Sequence, residues 1–404
     1  MAKNTVQPQA IFTSYMIAGL TASLQRVQST AYVLPEVDRQ QAWHLLSFAL
    51  KVDETWPATR DLLLALMPKM EVAGHWEGWI PYLIKGVSCS QSHQDDHTAA
   101  RLMLEVGYLF QRLDRLAEAE EWLCQALAHF QARGESDSTA LTFARLANVA
   151  RNQMAYDRCE HLLQQGFACR TTTEDVRAFL HLIAGHLQFD RRAWDSAEEH
   201  YKTALALWKS RQDDRRAAIS LQNLGRVAMM YQNYEKALRC YSEAAETLRL
   251  VNDPFNGATV DLNIGIVYSL LGSSSLALAH YAKAKAIFLK ADGLRSMGMV
   301  YNNEGIEYST QQRWSEAQSA FQNAIAKWQL LNDKREWANS LDGLGLAYAN
   351  AEQPSMALQA FNEALTLLDT TTEQTRNRAL YETIVAHRQE TQEAQTTLSD
   401  VMFC

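Results

Sequence analysis

Residues 221–248 read LQNLGRVAMMYQNYEKALRCYSEAAETL, with small residues at Gly225, Ala237 and Ala244 and large ones at Tyr241 and Leu248. The same order of small and large recurs along the chain. Aligned on Gly225 stand Gly107, Ala147, Gly185, Gly265, Gly305 and Gly345, and the successive spacings are 40, 38, 40, 40, 40 and 40 residues. Twelve residues after each come Ala119, Cys159, Ala197, Ala237, Ala277, Ala317 and Ala357, all small. Sixteen after come Leu123, Leu163, Tyr201, Tyr241, Tyr281, Phe321 and Phe361, and nineteen after come Ala126, Gly166, Ala204, Ala244, Ala284, Ala324 and Ala364. A fixed period of this length is the mark of one supersecondary unit stacked many times.

The physical form of the unit follows from the sizes. Two antiparallel helices approach to about 8–10 Å only where side chains are small. The large residue at the sixteenth place fills the space between one helix pair and the next, and aromatics in the turn (Tyr156, Trp194, Tyr234, Trp314) close the hairpin. Trp208, Leu248, Phe288, Trp328 and Leu368 extend the apolar face of the second helix by another turn. Polar turn-forming stretches, RGESDS, RQDD, NDPFNG and LNDK, separate the units. One helix pair cannot bury its own apolar face, so the pairs stack into an all-α solenoid.

The last five units carry G-x-x-[YA]-x(8)-A-x(3)-[YF]-x(2)-A, broken once at Gln188, and this pattern resembles the tetratricopeptide repeat family in its longer variant of forty residues. The resemblance covers Ala100 to about Thr372 and implies a right-handed α-solenoid of stacked antiparallel helix pairs. The proline that often follows the second helix in shorter members is missing here, in keeping with the longer variant. The expected organisation is an N-terminal helical cap over residues 1–59, with helices at Phe12–Thr30 and Arg39–Lys51. A degenerate repeat over 60–98 follows, with Trp79 where a small residue belongs, then seven repeats over 99–372. A polar capping helix and a fraying tail DVMFC fill 373–404. Trp76, Trp79, Ile80 and Tyr82 gather apolar surface in the degenerate repeat, which either pairs two copies of the chain or packs on the cap helices.

Composition narrows the partner class. With 38 Lys+Arg against 46 Asp+Glu the formal net charge is −8, which repels a phosphate backbone over most of the surface, so nucleic acid is not expected. An RNA-binding helical repeat also carries a period of 35 rather than 40. Cys89, Cys124, Cys159, Cys169, Cys240 and Cys404 form no C-x-x-C pair and no disulfide framework, and they read as reduced thiols. No leader-like start and no apolar run of membrane-spanning length occurs, so the expected compartment is the cytoplasm.

Catalytic signatures are missing: there is no phosphate loop, zinc helix, nucleophile elbow or calcium loop, and neither an enzyme nor a cofactor is expected. His93 and His97 flank Asp95 and Asp96, which is compatible with metal ligation but reads more simply as a turn that caps the next helix. His181 and His186 diverge on a helix. Cys159 occupies a small packing position, and Cys124, Cys169 and Cys240 lie on second helices.

In such an array the first helix of each pair lines the groove. Three consecutive first helices carry Asn223, Asn263 and Asn303, two residues before the glycine, where other units have Glu105, Arg145, Ile183 and Gly343. An asparagine side chain both donates and accepts, so a row of them can pair with a peptide backbone at about 0.5–1.5 kcal/mol per bond. Resemblance to kinesin light chains and peptide-regulated bacterial sensors implies this role for asparagines at that position. Specificity is expected from Gln222, Arg226, Asn302, Asn148, Arg145, Arg151 and His186, with Met229, Met230 and Met299 as adaptable apolar contacts. The alternative is that the asparagines bond to neighbouring helices and only set the superhelix. Replacing all three by alanine is expected to abolish partner binding with little change in melting temperature.

The functional expectation is a non-enzymatic adaptor or regulatory subunit that holds a peptide or helical segment of a partner protein. Bacterial signalling or antiviral defence is the context that the resemblance suggests. The other reading is a sensor switched by a short free signalling peptide.

Overall fold

The structure, a computed structural model, describes residues 8–30, 34–73, 76–171, 173–290, 293–369 and 374–402, and these form helices joined by short turns. Contacts divide the chain into two compact units, Met1–Asn256 and Gly257–Cys404. The boundary falls inside a helix, where the forty-residue period runs on without a break.

The first unit opens with α1 (Pro8–Ser29) and α2 (Glu36–Ala49), then the pair α3 (Trp56–Ala73) and α4 (Trp76–Ser92). Four regular pairs follow: α5 (Asp96–Arg112) with α6 (Leu116–Ala132), α7 (Ser136–Asn152) with α8 (Tyr156–Ala168), α9 (Glu174–Asp190) with α10 (Trp194–Ser210), and α11 (Asp214–Met230) with α12 (Tyr234–Leu250). Beyond them α13 (Pro254–Leu270) pairs with α14 (Ser274–Lys290), α15 (Leu294–Thr310) with α16 (Trp314–Leu330), and α17 (Lys334–Asn350) with α18 (Pro354–Asp369). A last helix, α19 (Gln374–Met402), packs on α18. It runs on through Asp400–Met402 of the expected fraying tail, while Phe403 and Cys404 lie outside the described residues.

The forty-residue period resolves into a twenty-residue one. Almost every helix of the array has seventeen residues, and a three-residue turn contains one residue in the left-handed region: Gln212, Gln232, Asn252, Gln312, Asn332 and Glu352 recur twenty residues apart where described. There the chain reverses, with the Asn233 N–H donating to the Ala228 carbonyl at 2.9 Å across the turn. At several turns the last residue also caps the next helix. Asp213, Asn233 and Asp333 accept from the backbone N–H of Arg216, Lys236 and Glu336. The one short period, 38, comes from α8, which stops at Ala168 and hands over to an extended stretch, leaving Cys169 in the cap rather than on the helix.

The glycines on which the repeat was aligned are spaces for rings. A Cβ on Gly225 would stand 2.6 Å from Cε1 of Tyr241, and one on Gly265 only 2.4 Å from Cε1 of Tyr281. The large residue at the sixteenth place therefore packs first on its own pair, and at Phe321 also on the next pair, against both Gly305 and Gly343. In the degenerate pair, Trp79 is fully buried and stacks on Trp43 of α2 and on Tyr82. Trp79 and Tyr82 are thus covered by α2, whereas Trp76 meets Phe255 of the same unit.

Candidate functional site on the first-helix faces

Side chains of α5, α7, α9 and α11 form one face of the first unit. At the column two residues before the repeat glycine stand Glu105, Arg145, Ile183 and Asn223, and the structure gives each a different environment. Ile183 is core. The Arg145 guanidinium is held between two rings, 3.7 Å from the centre of Tyr108 and 4.6 Å from that of Phe179. Stacking fixes its plane and leaves its N–H fork free, since no hydrogen bond to a described residue engages it. Glu105 is half-buried beside it, with its Oε1 buried and unpaired among the described residues, and burial, reinforced by the charge of Glu71, lifts its carboxyl to about 8.

Asn223 is 5% exposed. Its amide donates to the Ile219 carbonyl of its own helix at 2.9 Å, and its oxygen accepts from Arg226, whose guanidinium lies 4.3 Å over the ring of Phe189. Arg151 donates to Asn148 and Asn152 and pairs with Asp190 at 2.8 Å. His186 lies between these groups. Burial, with Arg151 and Arg226, holds its imidazole well below its ordinary range, against a smaller opposing effect from Asn223. Gln222 is half-buried and Met230 exposed. Arg145, Asn148, Arg151, His186, Asn223 and Arg226 are thus brought onto one face, most of them already bonded to one another.

The second unit treats its asparagines differently. Asn302 accepts from Ser340, which in turn accepts from the Trp328 indole at 3.1 Å, so it ties α15 to α17. Asn263 on α13 is buried and Asn303 on α15 half-buried, and neither side chain bonds to any described residue. Met299 is exposed on α15.

Sequence reasoning missed the strongest electrostatic cluster. Glu71, near the end of α3, accepts on Oε1 from the Tyr108 hydroxyl and from Arg215 of α11, both at 3.1 Å. Arg215 also pairs with the buried Asp253 at 2.6 Å, and Asp253 caps α13. Alongside, Arg112 lies 4.4 Å over the Trp76 ring and 5.6 Å from Phe255, and those two rings meet edge to face. Glu71 and Arg215 are 144 residues apart, so no local pattern announces their meeting. Burial alone would raise the Glu71 carboxyl. Arg215, Arg145, Arg112 and Arg216 together outweigh that and hold it below the usual carboxylate range.

Each histidine singled out in the sequence has surroundings of its own. His93 bonds to the Cys89 carbonyl, and His97 to Glu135, while Asp95 caps α5. His181 instead meets His200 of the partner helix, with Nδ1 atoms 3.0 Å apart. Among the described residues no group of three or more His, Cys, Asp or Glu is placed to hold a metal ion. Burial pushes the Cys159 thiol up to about 11, which suits a packing residue rather than a nucleophile. No helix among the described residues is long and apolar enough to cross a membrane.

Stacked helix pairs that present a face of polar first-helix side chains define an all-α repeat protein of the binding type. A family model of the tetratricopeptide repeat matches residues 175–250, 218–290 and 296–370, and those stretches carry tetratricopeptide repeats. It is similar to the kinesin light chain-related protein 1 of Arabidopsis thaliana, 23% identical over 214 residues, which cover 51% of this chain and 35% of that protein. The chain thus spans about a third of that relative's length. In fold it resembles the apo form of the quorum sensor NprR from B. thuringiensis, with a TM-score of 0.58 at 13% identity over 80% of this chain and 89% of that one. It also resembles NprR in complex with its cognate peptide NprX, with a TM-score of 0.50 at 14% identity over 69% and 83% of the two chains. A role in protein interaction or peptide binding is what the repeats support.

Proposed function

We propose that the chain is a non-enzymatic adaptor or regulatory subunit whose first-helix faces hold a peptide or helical segment of a partner protein. One observation carries this: Asn263 and Asn303 occupy the same position on consecutive first helices, and their amides bond to no described residue. Each offers a donor and an acceptor, the two functions that an extended backbone complements. Met299, exposed four residues before Asn303 on α15, supplies an adaptable contact on the same helix. The resemblance to a sensor solved with its cognate peptide supports a second occupant class, a short free peptide.

Asn223 belongs to a different case, because its bonds are already made. The test is affinity capture with mass spectrometry, comparing wild type with Asn263→Ala/Asn303→Ala and with Asn223→Ala. The double variant is expected to fold normally and lose its partner. Asn223→Ala is expected to lower stability by about 1 kcal/mol through its lost buried hydrogen bonds. Full recovery of the same partners by a folded double variant would sink the proposal. A small peptide, rather than a protein, released from the captured wild type would favour the sensor.

A further inference from the structure

We propose that Tyr108, Arg112, Arg145 and Arg215 form a carboxylate-binding site, which the chain fills with its own Glu71 until an acidic segment of a partner protein displaces it. The site lies in the first unit and is argued apart from Asn263 and Asn303, so either can fail without the other.

Three features of the cluster point to a ligand site rather than to an ordinary ion pair. The first is preorganisation. Arg112 and Arg145 are each stacked on two aromatic rings, and neither forms a hydrogen bond or ion pair with a described residue, so two guanidinium forks are fixed in direction and left unused. Arginine held in this way recognises a carboxylate through its parallel N–H groups.

The second is that a carboxylate already occupies the position, and it comes from far away. Glu71 takes both of its hydrogen bonds, from Tyr108 and Arg215, on a single oxygen. It sits in the last turn of α3, where the carbonyl end of the helix disfavours a negative charge. Its placement therefore serves the arginines and not its own helix. Arg215 keeps Asp253 as a partner whether or not Glu71 is present, so displacing Glu71 leaves the frame of the site standing.

The third is the seam beside it. Trp76 opens α4 and touches Phe255 at the start of α13, with Arg112 between the two rings. Together the Glu71 pairing and this aromatic contact join the α3–α4 corner to the far end of the same unit. A carboxylate that replaced Glu71 would free that corner. Glu105, the other acid beside Arg145, has its carboxyl raised by burial to about 8, which weakens it as a competitor.

The probe is a fluorescein-labelled hexaglutamate peptide, with hexaglutamine as control, titrated against the full chain by fluorescence anisotropy. Removing the internal competitor in Glu71→Gln is expected to tighten binding of hexaglutamate by about tenfold, as for a latch closed nine-tenths of the time. Adding Arg145→Ala is expected to abolish that gain, and Arg145→Lys, which keeps the charge but loses the fork, to retain only part of it. A Glu105→Gln background prevents that acid from ionising into the place of Glu71. Hydrogen exchange in the α3–α4 corner and at the start of α11 is expected to rise both in Glu71→Gln and in wild type with the peptide. Binding by Glu71→Gln no tighter than wild type, a gain that survives Arg145→Ala, or equal tightening for hexaglutamine would overturn the proposal. So would unchanged exchange in a folded Glu71→Gln protein.

Discussion

The asparagine column shows how little a residue type says without its surroundings. Asn223, Asn263 and Asn303 are equivalent by register, yet among the described residues only the first is bonded: its amide donates to the Ile219 carbonyl, and Arg226, three residues on, reaches back to its oxygen. The matching residues after the other two are Ile266 and Ile306, which have nothing to donate. Glycine at the repeat position is a steric requirement rather than a conformational one. Gly225 is helical, and a methyl group there would run into the ring of Tyr241 at 2.6–2.8 Å. Alanine favours a helix over glycine by close to 1 kcal/mol, but overpacking a core costs about 1–3 kcal/mol. Gly225→Ala is therefore expected to destabilise the protein, as read by urea unfolding, and Tyr241→Leu in the same chain to relieve part of the loss. A gain in stability from Gly225→Ala would refute the packing account.

At the scale of the element, α5 and α3 each carry an acid whose fate is set by position on the helix and by what packs there. Glu105 faces inward and is held protonated, whereas Glu71 of α3 meets arginines and is held ionised. Their effects on stability have opposite signs. A carboxyl raised from 4.5 to about 8 binds a proton in the folded state that the unfolded chain releases, so its contribution is complete below pH 4.5 and is lost as pH rises toward 8. Glu71, lowered, contributes above the usual carboxylate range and is lost as pH falls through it. Between pH 5 and 8 the Glu105 effect stands alone of the two. Stability is expected to fall by up to about 1.4 kcal/mol per pH unit there, and Glu105→Gln to flatten that slope. Urea midpoints at pH 5, 6.5 and 8 decide it, and an equal slope in the two proteins would show that Glu105 is already ionised.

The whole molecule is a succession of helices that mostly touch their neighbours in sequence, and in such an array the loss of an end is felt locally. Helix α19 covers the last pair, burying Ile384 against the cluster that contains Phe361, Leu365 and Leu368. Ending the chain at Asp369 is expected to raise amide exchange in α17 and α18 and to leave α5–α8 at wild-type rates. Exchange rising equally along the chain would mean that the array unfolds as one cooperative body. Within the first unit the Glu71–Arg215 and Trp76–Phe255 contacts depart from neighbour-only packing, and the former is why the end of α3 has consequences at α11.

Most of the architecture was legible in the sequence because its causes are periodic. Small residues at fixed offsets determine where helices touch, and Asp213, Asn233 and Asp333 announce where the next helix begins. The twenty-residue turn was hidden because, among the described residues, glutamine, asparagine and glutamate fill its left-handed position more often than glycine does. The division at Asn256 was hidden too, since it falls within one unbroken helix. Which asparagines are left unbonded, and which arginines converge on Glu71, depended on contacts between residues far apart in the chain. Sequence by itself determined the repeat, since sterics and burial act on neighbours at constant spacing. Only the tertiary structure decided the charge pairing, because a carboxylate near residue 70 meets a guanidinium near residue 215 through the path of the whole first unit and through no local rule.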